Sequence, residues 1–166
     1  MVKSSSQETS LMTMPSVGMV GKSGREIAKA FLRMAGGKAS CYHITDKQLK
    51  GPKVNVIVAA EASPVLENIV PALGREDYLI VNADDKSIFP LLPQSEATLI
   101  TYGFNGRACI TASSVTEEGL QVCIQRAFQS MDGEERLPQE FSAKVKVEEN
   151  SDTVLAAAAA LAVCGI

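Results

Sequence analysis

The run Gly18-Met19-Val20-Gly21-Lys22-Ser23-Gly24 gathers the groups that hold a phosphate. Glycines let consecutive backbone N–H groups turn toward one anion, and a helix that follows offers its N-terminus to the same anion. A lysine adds a point charge, and a serine hydroxyl can ligate Mg2+. The full G-x-x-x-x-G-K-[ST] pattern is not met, because Ser16 stands where its first glycine would be; the shorter G-x-x-G-K-S is. A turn that needs glycine merely to join a strand to a helix has the same composition. The phosphate cradle and the plain turn therefore both stay open on the residues alone.

Other chemistry-bearing residues carry weaker signals. Glu61 follows an apolar run and reads either as a Mg2+ ligand or as an acid that happens to leave a strand. Asp84 and Asp85 suit a helix N-cap and first turn better than a metal site. His43 has no second histidine anywhere in the chain, which favours a structural role. Cys41, Cys109, Cys123 and Cys164 are scattered, with no C-x-x-C pair and no zinc-type spacing, and read as small buried thiols in a reducing compartment, the cytoplasm. No catalytic residue can be named from the sequence.

The elements that must position these residues follow from periodicity. Pro15 to Val20 suits a buried strand, and from Arg25 to Ala35 apolar residues at Ile27, Ala30, Phe31 and Met34 mark an amphipathic helix that Gly36-Gly37 ends. A strand is expected over Ala39 to Ile44, then a polar loop from Asp46 to Lys53. Val54 to Ala60 reads as a central parallel strand covered on both faces. Ser63-Pro64 opens a helix with Val65, Leu66, Ile69, Val70 and Leu73 as its stripe and Gly74 as its stop. Strands at Tyr78 to Val81 and Thr98 to Tyr102 flank a short helix that starts near Asp85 and is broken at Pro90 or Pro93.

The pattern then changes to a period of two, over Leu120 to Phe128 and again over Phe141 to Val147. With Arg107 to Val115 in front, these predict a three-stranded antiparallel meander turning at Glu117-Glu118-Gly119 and Asp132-Gly133. An Ala-rich helix from Asp152 to Cys164 closes the chain. The fold class expected is α/β: a three-layer, P-loop-type, mostly parallel sheet with helices on both faces, the meander and the closing helix. Residues 1–13 read as a disordered tail and residues 14–166 as one domain.

Composition narrows the partners. With 166 residues, 46% hydrophobic, 21% charged and a net charge of -3, the chain can bury a core unaided and has no electrostatic footprint for nucleic acid or an anionic membrane. The Ala-rich end is too short to span a bilayer, and residues 1–13 lack the apolar core of a secretory signal.

Four motifs in order resemble the central ATP-binding domain of the Mur ligases, whose loop has the form G-T-x-G-K-T. Gly18 to Ser23 matches both glycines, the lysine and the hydroxyl; Asn82-Ala83-Asp84-Asp85 is similar to the family's N-A-D-D; Thr101 to Asn105 resembles the strand end that follows; and Asn150 to Gly165 is similar to its closing helix. The resemblance covers roughly residues 15–166. It implies ATP and Mg2+ as cofactors, with Gly18, Met19, Val20, Gly21, Lys22, Ser23 and Gly24 at the phosphates, Asn150 near the adenine, and Ser23 and Glu61 on the metal. The chemistry implied is acyl phosphate formation on a carboxylate, followed by attack of an amine.

The sequence also departs from that pattern. Only twenty residues separate Glu61 from Asn82, where the family carries a metal-binding histidine and a carbamylated lysine, and neither residue type occurs between them here. Ser151 and Val154 replace the closing helix's adenine-contacting asparagines, and Ile166 falls where the family's C-terminal domain would begin. The expectation is a nucleotide-binding module without autonomous ligase activity, with residual ATPase activity left open, acting beside a partner protein or a second copy of itself in cell-wall or amide-ligase metabolism. The alternative is an interaction or scaffold protein that keeps the fold and no longer binds nucleotide. A free-standing P-loop kinase or GTPase is disfavoured, for no second loop carries base-reading residues.

Overall fold

The computed structural model describes residues 14–45 and 54–166. The expected N-terminal tail and the polar loop from Asp46 to Lys53 lie outside the described residues. Strand β1 (Ser16–Val20) runs into helix α1 (Gly24–Ala35), which leads to β2 (Ser40–Ile44). β3 (Val56–Ala59) is followed by α2 (Pro64–Ile69), and β4 (Tyr78–Asn82) by a 3-10 segment (Lys86–Gln94) and β5 (Thr98–Tyr102). Then come β6 (Ile110–Val115), β7 (Gly119–Ile124), the short β8 (Phe128–Gln129) and β9 (Glu135–Arg136), β10 (Gln139–Lys144) and α3 (Ser151–Cys164).

One sheet of eight strands has the order β10-β7-β6-β5-β4-β3-β1-β2. The strands from β6 to β2 pair in parallel, while β7 pairs antiparallel with both β6 and β10. The expected α/β architecture is therefore present, and the meander extends the parallel sheet instead of standing apart from it. The join is narrow, a single register pair between Tyr102 and Ile110.

Alternation along the strands sorts the core into two layers. Val17, Met19, Val56, Val58 and Ile80 face α1 and α3, whereas Val20, Ile57, Ala59, Leu79 and Val81 face α2 and the 3-10 segment through Val65, Leu66, Val70 and Ile88. On α1, Ile27, Ala30, Phe31 and Ala35 make the buried stripe, and Gly36 closes the helix in the left-handed region at φ 57°. α3 has no such stripe, because every residue from Thr153 to Cys164 is buried. Its alanines let it lie close to the sheet and α1 at once. Among the described residues no helix is long and apolar enough to cross a membrane.

The structure corrects several boundaries, among them the meander's outer strands, which begin at Ile110 instead of Arg107 and run over Gln139–Lys144 instead of Phe141 to Val147. α2 stops at Ile69 and tightens into a 3-10 turn over Val70–Ala72, instead of running on to Gly74, since Pro71 has no N–H to donate to the preceding turn. The segment after β4 is 3-10 throughout and continues through both Pro90 and Pro93, capped by Asp85, whose Oδ1 accepts the Ser87 N–H at 3.0 Å. The long alternating strand expected to reach Phe128 ends at Ile124; Phe128 belongs to the β8–β9 hairpin, and Asp132-Gly133 turns that hairpin instead of the meander.

Candidate functional site

The site lies where the strand order reverses. From β1 the chain moves through α1 to β2 on one side, while β3 lies on the other side of β1, and α1 and α2 cover opposite faces of the sheet. In open parallel sheets the carboxyl ends of two such strands diverge into a crevice that serves as the ligand site. Here the turn Gly21-Lys22-Ser23 leaves β1 and Glu61 lies just beyond β3, so sequence-distant residues meet at this point.

Gly18, Met19 and Val20 lie inside β1, paired with β2 on one side and β3 on the other. The turn that could wrap an anion is accordingly shorter than the motif suggests, three residues from Gly21 to Ser23. Gly18 serves packing: a Cβ there would run into Ile44 Cδ1 and lie 3.0 Å from Val54 Cγ2 and 3.1 Å from Ile57 Cδ1. Gly21 has φ 96°, a conformation that L side chains rarely adopt, and it lets the chain reverse into α1. Gly24 is the first residue of α1, and a Cβ on it would press on the Met19 carbonyl at 3.1 Å and on His43 Cδ2 at 2.8 Å.

Glu61 closes over this turn. The Ser23 backbone N–H donates to Glu61 Oε1 at 3.0 Å, and the Ser23 hydroxyl donates to Glu61 Oε2 at 3.0 Å. Ser23 occupies the N-cap position of α1 without capping it through its own side chain, so the carboxylate takes a donor that the helix start leaves over, at the positive end of the helix dipole. Lys22, the residue before Ser23, is exposed and, among the described residues, forms no salt bridge.

His43, given only a structural role by the sequence, belongs to the site's frame. Its Nε2–H donates to the Gly21 carbonyl at 3.0 Å, which fixes the turn's backbone from the β2 side. The register explains the reach, because His43 sits opposite Met19, two residues before Gly21. A lone histidine in a strand gave no warning of this; only the pairing of β1 with β2 reveals it.

The remaining motif residues hold loops. Asn82 Oδ1 accepts the Asp84 N–H at 2.9 Å, and the Asp84 carboxylate accepts the N–H groups of Phe104 at 2.8 Å and Asn105 at 3.1 Å. Asp84 thus ties the end of β4 to the loop after β5 instead of opening the next helix. Tyr102 is buried at the end of β5, and burial, with Glu61, Asp152, Asp84 and Asp85 nearby, pushes its phenol far above the usual range. Asn150 is exposed and caps α3, its Oδ1 accepting the Thr153 N–H at 2.8 Å. The structure brings Glu61 onto Ser23 at the turn that also carries Lys22, and it commits Asn150 to the start of α3. Among the described residues no three His, Cys, Asp or Glu side chains cluster as a metal cage.

No protein-family model matches the chain, and no curated protein does. Solved structures do match in fold. MurF ligase from Thermotoga maritima, in complex with ADP, superposes with a TM-score of 0.57 at 11% identity over 90% of this chain. MurF from Acinetobacter baumannii gives 0.58 at 10% identity over 93%. In both cases the match spans 44% of the MurF chain, less than half its length. The fold of the described residues is therefore Mur ligase-like.

Proposed function

We propose that this chain is a Mur-ligase-like nucleotide-binding domain that holds the phosphates of ATP or ADP together with Mg2+ at the turn between β1 and α1. The observation that carries the reading is the contact of Ser23 with Glu61 at the strand switch point, directly after the exposed Lys22 in the chain. Lys22 supplies an exposed positive charge, and the start of α1 supplies backbone N–H groups. The ADP in the T. maritima MurF supports the same ligand class for this fold.

The residues fit Mg2+ on their own chemistry. Ser23 Oγ and Glu61 Oε2 are hard oxygen donors 3.0 Å apart, about the edge of an octahedron with bonds of about 2.1 Å. Mg2+ ordinarily takes only one or two protein oxygens and completes its shell with water and phosphate, so it does not require the three-ligand cage that is absent among the described residues. When bound, the ion would neutralise phosphate charge. Ser23 and Glu61 would hold it, Lys22 would orient the phosphates, and His43 would keep the Gly21 backbone in place.

Ligation by this chain alone is not part of the proposal. Acyl phosphate formation and amine attack bring anions together and need dense positive charge, yet the segment from Ala62 to Val81 contains neither a lysine nor a histidine. The role proposed is regulatory or accessory, beside a partner in cell-wall or amide-ligase metabolism. A second reading, a scaffold that no longer binds nucleotide, is favoured by one observation: Ser23 and Asn150 already have internal partners. Isothermal titration with ADP and Mg2+ separates the two. Saturable heat that Lys22→Ala reduces at least about tenfold, the worth of one charge-assisted contact, is the expected result. Absence of both heat and thermal shift at millimolar nucleotide overturns the nucleotide reading.

A further inference from the structure

We infer that Glu61 makes the β1–α1 turn selective for phosphate that arrives with a divalent cation, because its carboxylate stands where a bare phosphate would bind. The inference rests on the phosphate-binding reading of this turn and adds a rule for what the turn admits. Both polar groups that Ser23 presents here, its N–H and its hydroxyl, are spent on this one carboxylate at 3.0 Å each. The carboxylate also lies directly against the turn, since a Cβ on Gly21 would come within 2.6 Å of Glu61 Oε1. A phosphate oxygen and the carboxylate cannot share that space.

A metal-free phosphate must therefore evict Glu61, break two charge-assisted hydrogen bonds and then sit beside the displaced negative charge. A divalent cation reverses the balance. The carboxylate and the Ser23 hydroxyl become two of its oxygen ligands, and the phosphate is attracted to the ion instead of being repelled by the acid. Glu61 is only half-buried and has no further hydrogen-bond partner among the described residues, so turning toward an ion in the crevice costs it nothing beyond its hold on Ser23. The same contact that keeps the turn ordered without ligand thus screens out free phosphate.

Inorganic pyrophosphate is the suitable probe, since it needs no adenine contact. Its affinity is measured by isothermal titration with EDTA and again with Mg2+, for the full chain and for Glu61→Gln and Glu61→Ala, with circular dichroism and a thermal melt confirming that each is folded. In EDTA both variants should bind at least about tenfold tighter than the parent, the worth of about one charge-assisted hydrogen bond. They should also lose most of the gain that Mg2+ gives the parent. Ser23→Ala, which cuts one of the two holds on the carboxylate, should show a smaller gain in EDTA and serves if neither Glu61 variant folds. Folded variants that bind metal-free pyrophosphate no tighter than the parent overturn the inference. The nucleotide reading is judged separately, by the parent with Mg2+ and ADP and by its Lys22→Ala variant.

Discussion

Arg33 lies in the last turn of α1, at the far end of the helix from the candidate site, and it offers a measurable test of what holds that helix in place. Its Nη2 and Nε donate to the two Glu149 oxygens at 2.6 Å and 3.2 Å, and Nη2 also donates to the Lys144 carbonyl at 3.1 Å. Both side chains are largely covered, 24% and 15% exposed. Glu149→Ala leaves the guanidinium covered with only the Lys144 carbonyl as partner. A fully buried charge stripped of its counter-ion costs about 3–5 kcal/mol, and an exposed pair is worth under about 1 kcal/mol; the partial exposure here places the loss at about 2 kcal/mol. For a chain of this size that lowers the melting temperature by about 6 °C. Arg33→Ala, Glu149→Ala and the double variant, unfolded in urea at pH 7, should give a coupling energy of about 1–2 kcal/mol.

The pair also predicts an acid limb. Burial raises the Glu149 carboxyl, but the Lys146 N–H and the Arg33 guanidinium outweigh it and hold the group below the ordinary glutamate value. A depressed folded pKa means that the stabilisation is complete above the unfolded value of about 4.3 and is lost as pH falls through the folded one. The gap between parent and Glu149→Ala should therefore stay constant down to about pH 5 and close on further acidification. Coupling under about 0.5 kcal/mol, or a gap that does not change between pH 7 and pH 3, would refute the assignment of this ion pair as the tie between α1 and the approach to α3.

Two further outcomes can be checked directly. Ala158 lies in α3 with no exposed surface, so Ala158→Leu should overpack the core by about 1–3 kcal/mol and lower the urea midpoint, whereas Ser142→Leu at an exposed position should leave it within about 0.5 kcal/mol. Burial pushes the thiols of Cys41 and Cys164 up to about 11 and about 12; a maleimide pulse at pH 7.5 should leave the buried Cys164 unmodified in the folded chain, label the half-buried Cys41 slowly, and label both fully in urea, as read by peptide mass.

Much of the fold was legible because periodicity and end signals agreed. The Ile27, Ala30, Phe31 stripe and Gly36 fixed α1, and the unbroken apolar run at Val56–Ala59 marked a strand covered on two faces. α3 was legible from its ends, Asn150 and Gly165, but not from periodicity, since burial on every side leaves no stripe to find. Pro71 ended α2 early because a missing N–H outweighs an apolar spacing that would have continued. The site was legible in its residue types and not in its geometry. Ser23 and Glu61 are thirty-eight positions apart, and their contact depends on β1 and β3 being neighbours. The contact of His43 is not legible, because nothing local distinguishes a histidine that reaches a carbonyl on the next strand from one that fills space.

The complete burial of α3 has a consequence for the order in which the chain can fold during synthesis. This helix is the last of the described elements to leave the ribosome, yet it covers the same face of the sheet as α1 and packs across strands from β3 to β10. Until Cys164 has emerged, that face presents Val56, Val58, Ile80, Ile100, Leu120 and Val122 to solvent with only α1 over its edge. The nascent domain therefore waits, sticky on one side, for its final helix, and a truncation before Asn150 should yield aggregate instead of a smaller folded unit.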